Sequence, residues 1–270
     1  MKTQLSQEQI NSYRENGFIM IENFLDQSEL EEWRGAVDEA VAKRKGKLPY
    51  ERTITSDDFY DNVFMQRLNL WMDNSQMKKI MFDEQLGKMV CELEGMEGVR
   101  IWHDQALIKE SWGNPTGFHI DNPYWSFHSK QACSIWVALD DVTTENGCLY
   151  FIPGSHIHGR FQDINIGPNL GDAFKFFPEF KNTKPVAAVM KAGSCTFHNG
   201  LTIHGANGNM TTGRRRAMTC AYMPEGSVFN GLQNVLPNAM FNTLKPGDVL
   251  NDDSFNPLIY STKTVHANAV

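Results

Sequence analysis

The chain has 270 residues, 41% of them hydrophobic, which is enough for one sizeable core and unlike a disordered or fibrous chain. Its formal charge of −7 disfavours nucleic acid and anionic membrane as partners. The cysteines (Cys91, Cys133, Cys148, Cys195 and Cys220) are odd in number and form no CxxC pair, so they read as buried free thiols of a reducing, cytoplasmic compartment. No secretory segment or membrane-length apolar run is present in the sequence.

In chain order, Ser6 with Gln9 forms a capping-box pattern, which predicts a helix from about Ser6 to Asn16 that stops at Gly17. Phe18 to Ile21 reads as a short strand. Asp26 with Glu29 marks a second capped start, and Leu30, Trp33, Ala36, Val37 and Ala40 follow at helical spacing. Further helix is expected from Phe59 to about Trp71 and from Ser75 to Leu93. Residues 1–98 are thus expected to be mainly helical.

From Val99 the pattern changes to short runs between turn residues. Strands are expected at Arg100–Lys109, Gly117–Ile120, Ser134–Leu139, Cys148–Ile152, Ala187–Val189, Cys195–His198 and Arg214–Met223. This spacing predicts a mainly β fold with flanking helices and a sandwich or jelly-roll core over residues 99–224. Residues 160–185 read as a long insertion loop, 225–270 as a C-terminal extension of a single domain, and Lys263–Val270 as a frayed tail.

The chemistry is concentrated in Gly117-Phe118-His119-Ile120-Asp121. On a strand, residues two apart share a face, so His119 and Asp121 would point together into the barrel. A second histidine from another strand would complete the two-His, one-carboxylate face of a non-haem Fe(II) site. Among the other histidines, His103, His128, His156, His158, His198 and His266 stand in less favourable contexts. His204 precedes a Gly-Ala-Asn-Gly-Asn turn and then a strand that opens with Arg214, Arg215 and Arg216. Alternation puts Arg215 on one face with Ala217, Thr219 and Ala221, where its planar fork has room to grip a dicarboxylate. Arg214 and Arg216 fall on the other face with Met218, Cys220 and Tyr222.

These segments together resemble the phytanoyl-CoA dioxygenase family of 2-oxoglutarate oxygenases. The resemblance runs from YRENGFIMIENFLDQSEL through WHDQALIKE, the HID triplet and IWVALDDVTTENGCLYFIPGSHIHG to TIHGAN, the arginine strand and GDVLNDDSFNPLIY. It implies a double-stranded β-helix (a cupin-like jelly roll), with Fe(II) held by His119, Asp121 and His204 and with 2-oxoglutarate and O2 as co-substrates. It further implies that Arg215 holds 2-oxoglutarate and that Trp136 and Gln105 line its site. The family often carries a hydroxyl two residues after the distal histidine. Here that residue is Ala206, so one hydrogen bond to 2-oxoglutarate would come from Thr202 or Gln66 instead.

The carboxylate of Asp121 disfavours halogenation, which in related enzymes accompanies a small residue at that place. The implied activity is hydroxylation of a small molecule with release of succinate and CO2. Desaturation, epimerisation or cyclisation with the same cofactors, or a non-catalytic metabolite-binding jelly roll, are the alternatives. Tyr124, Trp125 and Phe127 are candidates for a substrate wall, with Trp112 and Asn114 nearby. Asp140, Asp141 and Glu145 read as turn and loop carboxylates. Neither membrane nor nucleic acid is expected as a partner, and the chain is expected to be a monomer or a weak homodimer.

Overall fold

The computed structural model describes residues 1–44, 46–50, 63–161 and 169–263. The N-terminal helix α1 (Gln7–Asn16) begins at Ser6, whose side chain accepts from the Gln9 amide while the Gln9 side chain accepts from the Ser6 amide. Gly17 ends it with φ +81°, a left-handed conformation open to glycine at no steric cost. Helix α2 (Gln27–Lys43) starts with the same reciprocal box between Asp26 and Glu29, and it buries Leu30, Trp33, Ala36, Val37 and Ala40. Each cap contributes about 1 kcal/mol by satisfying amides that the first turn leaves open.

Two expectations for residues 59–93 need correction. Residues 59–62 lie outside the described residues, and Met65–Leu68 is not helix but strand β2, paired with Gln105–Ile108. Cross-strand pairing there overrides a locally helix-like pattern. The expected single helix from Ser75 is two: α3 (Ser75–Met81) and α4 (Glu84–Glu94). Asp83 breaks the run by capping α4 through the Gln85 amide.

The core is two antiparallel sheets. The larger contains β1 (Phe18–Ile21), β2, β3 (Gly98–Lys109), β5 (Cys133–Ala138), β8 (Cys195–Asn199), β10 (Arg215–Pro224) and β11 (Leu258–Ser261). Its order is β1-β8-β5-β10-β3-β11, with β2 also on β3. The smaller runs β4-β9-β6-β7, from Thr116–His119, His204–Ala206, Leu149–Phe151 and Val186–Ala188. The two sheets form the double-stranded β-helix. Alternation sorts the large sheet's side chains. Ile135, Val137, Met218, Cys220 and Tyr222 pack outward under the helices with Trp33, Val37, Leu86 and Met89. Trp136, Ala138 and Ala217 pack inward against Leu149, Phe151, Ala188 and Ala206 of the small sheet.

Strands β9 and β11 were not expected; β9 has three residues, too short to show a period. Within the region read as an insertion loop, residues 162–168 lie outside the described residues. The rest includes a helical turn, Ala173–Phe176, whose Ala173 packs with Ile120, Ile203 and Phe177. Residues 264–270, most of the expected tail, are likewise outside the described residues.

Candidate metal centre

His119 and His204 are direct cross-strand partners on β4 and β9, which brings their rings to 4.3 Å between centroids. Asp121 does not come from the strand, as alternation predicted. Strand β4 ends at His119, and Asp121 turns into the αR region (φ −81°, ψ −45°) as the chain enters a short 3-10 turn. The Gly200 carbonyl accepts from the amides of both Asp121 and Asn122, at 3.0 and 2.9 Å, and so fixes that turn. A register shift between Thr116 and His119 supplies the local bend. The carboxylate reaches His119 Nε2 at 3.4 Å and His204 Nε2 at 3.8 Å. One ligand atom from each of the three residues falls within 4.8 Å of the others.

The two histidines are oriented alike. His119 Nδ1 lies 2.8 Å from the Gly117 carbonyl and His204 Nδ1 3.0 Å from the Thr202 carbonyl. Each Nδ1–H donates to the carbonyl two residues earlier, which leaves the Nε2 lone pair aimed at the centre. Burial, reinforced by the neighbouring His119, pushes His204 down to about 3, so its imidazole stays neutral. Burial alone would raise the Asp121 pKa. His204, His119 and His198 overcome it and hold the carboxyl well below its usual range. Two imidazoles that each present Nε2 and one carboxylate suit a divalent transition ion, so the donor set fits iron.

The cluster opens into a cavity of about 480 Å³ between the sheets. Arg215 lies at its inner end, 3% exposed, with its guanidinium 5.1 Å over the Trp136 ring. Its Nε and Nη1 are buried without a hydrogen-bond partner. Burial lowers it only to about 10, so it remains a cation near neutral pH. The fully buried Lys109 is its cross-strand partner and donates to the Asn114 carbonyl at 2.6 Å. Burial and Arg215 together push Lys109 down to about 7. This end of the cavity is therefore short of negative charge. Arg216, on the opposite face, is bound by Asp38 and Asp140 at 2.7 Å each, as strand alternation requires. Asp140 is thus the anchor of an arginine, Asp141 accepts from Lys191 Nζ at 2.7 Å and from the Ala192 amide at 3.0 Å on a distant turn, and Glu145 bonds within its own loop.

Gln105, Gln66 and Trp136 line the cavity, and Gln66 Nε2 donates to Gln105 Oε1. Thr202 is not brought there. It is fully buried, and its hydroxyl donates to the Gly17 carbonyl at 2.8 Å. A Cβ on Gly17 would stand 2.5 Å from that hydroxyl oxygen, so the helix cap and the loop before His204 close directly on each other. Tyr124 and Trp125 line the cavity, whereas Phe127 packs into the core against Trp102 and Trp125. Trp112 is 68% exposed, and Asn114 contributes only its carbonyl.

Sequence reasoning weighed His103 and His198 only as metal ligands. Both instead line the cavity with a buried, unpartnered Nδ1. Burial pushes His103 down to about 4. His198 Nε2 stands 3.5 Å from the second Asp121 oxygen. Period-2 alternation, already used for Arg215, would have found both, since His103 and Gln105 share a face of β3. The outer lining from Lys47, Leu48, Phe64, Asn234 and Val235 had no such signal.

A sequence model of the family described as phytanoyl-CoA dioxygenase (PhyH) matches residues 13–217. Among curated relatives, the mouse protein named phytanoyl-CoA dioxygenase, peroxisomal, is 25% identical over 234 residues, covering 81% of this chain and 68% of its own. Among solved structures, the carbocyclase SnoK from nogalamycin biosynthesis superposes with a TM-score of 0.75 at 24% identity, covering 94% of this chain and 96% of its own. The epimerase SnoN, crystallised with Fe3+, alpha ketoglutarate and nogalamycin RO, gives 0.75 at 24% identity, with 94% and 98% covered. The two solved structures share the fold described above, and the family match spans the chain from Tyr13 through the centre to Ala217: the chain belongs to the phytanoyl-CoA dioxygenase family.

Proposed function

We propose that this protein is an Fe(II)- and 2-oxoglutarate-dependent dioxygenase that hydroxylates a small molecule. The observation that carries the reading is one cavity with a two-His, one-carboxylate cluster beside a buried arginine whose Nε and Nη1 have no partner. His119, Asp121 and His204 hold the iron. When bound with 2-oxoglutarate and O2, the metal supplies the oxidation of the substrate, with succinate and CO2 as co-products. The chain's own residues do the rest. Arg215 grips the distal carboxylate of 2-oxoglutarate in bidentate fashion, Trp136 supports the guanidinium from one side, and Gln105 lines the same pocket. The carbonyls of Gly117 and Thr202 keep the ligand histidines in one tautomer. Apolar side chains of the lining, among them Leu107, Trp136 and Leu149, limit water beside the reacting carbon.

The family name does not make the substrate an acyl-CoA. Of the arginine cluster that could meet its phosphates, Arg216 is held by Asp38 and Asp140, and Arg214 stands 3.7 Å from Asp38. A second reading keeps the cofactors but ends in epimerisation or ring closure, as the names of SnoN and SnoK describe for those proteins. Product mass separates the two, since hydroxylation adds one oxygen and epimerisation adds none. A cytoplasmic site of action accords with five buried free cysteines. No helix among the described residues is long and apolar enough to cross a membrane.

The test is an anaerobic titration of the apo-protein with Fe(II) and then 2-oxoglutarate. A visible metal-to-ligand charge-transfer band with saturable dependence on 2-oxoglutarate is expected. Folded, iron-loaded protein that shows no such band would overturn the co-substrate assignment and bring forward a non-catalytic binding protein.

A further inference from the structure

The large sheet carries a second polar surface, at the far end from Arg215. Register aligns His103 on β3, Ala221 on β10, Ser134 on β5 and His198 on β8 as one row across adjacent strands. The row faces inward. His103, Ser134 and His198 line the cavity, while Cys133, Ile135 and Cys220, beside the row in sequence, pack outward under the helices. His198 Nε2, 3.5 Å from Asp121, fixes the row beside the metal centre. Ala221 contributes only a methyl group, which leaves a gap between His103 and Ser134. Trp125 walls that gap on the mouth side: it packs with Ala221, and its ring lies 6.3 Å from that of His103.

The row is chemically unused. His103 Nε2 and the Ser134 hydroxyl bond to no described residue, and neither is sealed from the cavity, although both side chains belong to buried residues. Burial keeps the His103 imidazole neutral near pH 7, so it presents one N–H and one lone pair, and the serine hydroxyl both donates and accepts. A hydroxyl, itself donor and acceptor, satisfies either group. A hydrocarbon in its place would strand both without partners, which costs binding energy. An anion fares no better. Ala221 lies six residues beyond Arg215 on β10, ~20 Å along the strand, and the row holds no lysine or arginine beside the Asp121 carboxylate.

We infer that the substrate is an uncharged molecule with at least two hydroxyl groups, which bond to His103 Nε2 and to the Ser134 hydroxyl while its carbon skeleton packs on Trp125. The inference rests on the function proposed above and names the substrate class of that site. The row sets the class, and choice among its members is left to the loop walls at the mouth.

The experiment uses full-length protein loaded with Fe(II) and 2-oxoglutarate under argon. Binding of a probe is read by the shift of the charge-transfer band and by calorimetry, so turnover is not required. The hydroxylated probes are cis-cyclohexane-1,2-diol, myo-inositol and phenyl β-D-glucopyranoside. The controls share the last skeleton: 2-phenoxytetrahydropyran lacks the hydroxyls, and phenyl β-D-glucuronide adds a carboxylate. At least one hydroxylated probe is expected to bind, with both controls about tenfold or more weaker. For that probe Ser134→Ala and His103→Phe should each lose about tenfold, while Ser134→Thr, which keeps the hydroxyl, stays within about threefold and 2-oxoglutarate affinity within about twofold throughout. No binding of any hydroxylated probe, or a control that binds as well, overturns the inference and leaves the proposed function standing. So does unchanged probe affinity in Ser134→Ala. Failure of iron-loaded wild type to bind 2-oxoglutarate removes both.

Discussion

The two ends of the cavity are built differently. At the inner end, Gln105, Trp136, Arg215, Thr116 and His204 project from paired strands whose neighbours are backbone-bonded on both sheets. At the mouth, Lys47, Leu48, Tyr124, Trp125, Asn234 and Val235 come from segments between or beyond those strands. The mouth segments are tied mainly to each other. Asn230 donates to the Trp125 carbonyl at 2.9 Å, the Ser126 hydroxyl to the Gln233 carbonyl at 3.0 Å, and the Tyr50 hydroxyl to the Val235 carbonyl. A sheet ladder constrains its side chains to a register, whereas a loop wall is free to change without disturbing that register. Under the function proposed above, cofactor binding falls to the sheets and substrate choice to the loop walls of one cavity.

This division can be broken by variants at either end. The largest effect is expected from His204→Ala. Removing a ligand should cost more than the 10–100-fold in metal affinity typical of losing an outer hydrogen-bond partner, about 100-fold or more by competition with a chelator. Next is Arg215→Ala, which removes a bidentate, charge-assisted contact. A loss of about 3 kcal/mol or more, ~100-fold in the 2-oxoglutarate requirement, is expected with Fe(II) affinity preserved. At the mouth, Leu48→Ala is expected to lower stability by about 2 kcal/mol while 2-oxoglutarate affinity stays within about twofold. A tenfold change in that affinity would show that the two ends are one unit.

The smallest effect lies behind the inner end. Glu94 accepts from Tyr13 and from Asn199, at 2.9 Å for the latter, and Asn199 adjoins His198. Burial pushes its carboxyl up to about 7, against the opposing hydrogen bonds. Native protein then holds a proton that the unfolded chain has released between about pH 4.5 and 7, so this group's contribution falls as pH rises through that window. Glu94→Gln keeps an acceptor oxygen and removes the titration. Because Glu94 keeps part of its surface in water, the variant should gain only about 2–4 °C in Tm over wild type at pH 8. Near pH 5 the two should melt together. An equal difference at both pH values would contradict the assignment.

Much of the inner end was readable in the chain because it obeys short periods. The capping boxes at Ser6 and Asp26 need only four residues to form, and both helices begin where those residues stand. The face carrying Arg215, Ala217 and Thr219 follows from period-2 alternation in a ten-residue strand. Asp121 is instructive, since alternation named it but a turn held by Gly200 delivers it. Thr202 lies near the centre in sequence, yet its hydroxyl is spent on Gly17, a contact set by how the first helix docks.

The sequence by itself determined the capped starts of the first two helices, the inward face of the long strands and the residue types able to hold a metal and a dicarboxylate. Those properties depend on neighbours one to four positions away. Only the tertiary structure decided that Met65–Leu68 is a strand and that Thr116 stands opposite Ala206. Only it, too, brings residues near 48, 125 and 235 together over the metal centre. Such contacts join segments far apart in the chain, and their energies arise from pairing and packing that no short window of sequence contains.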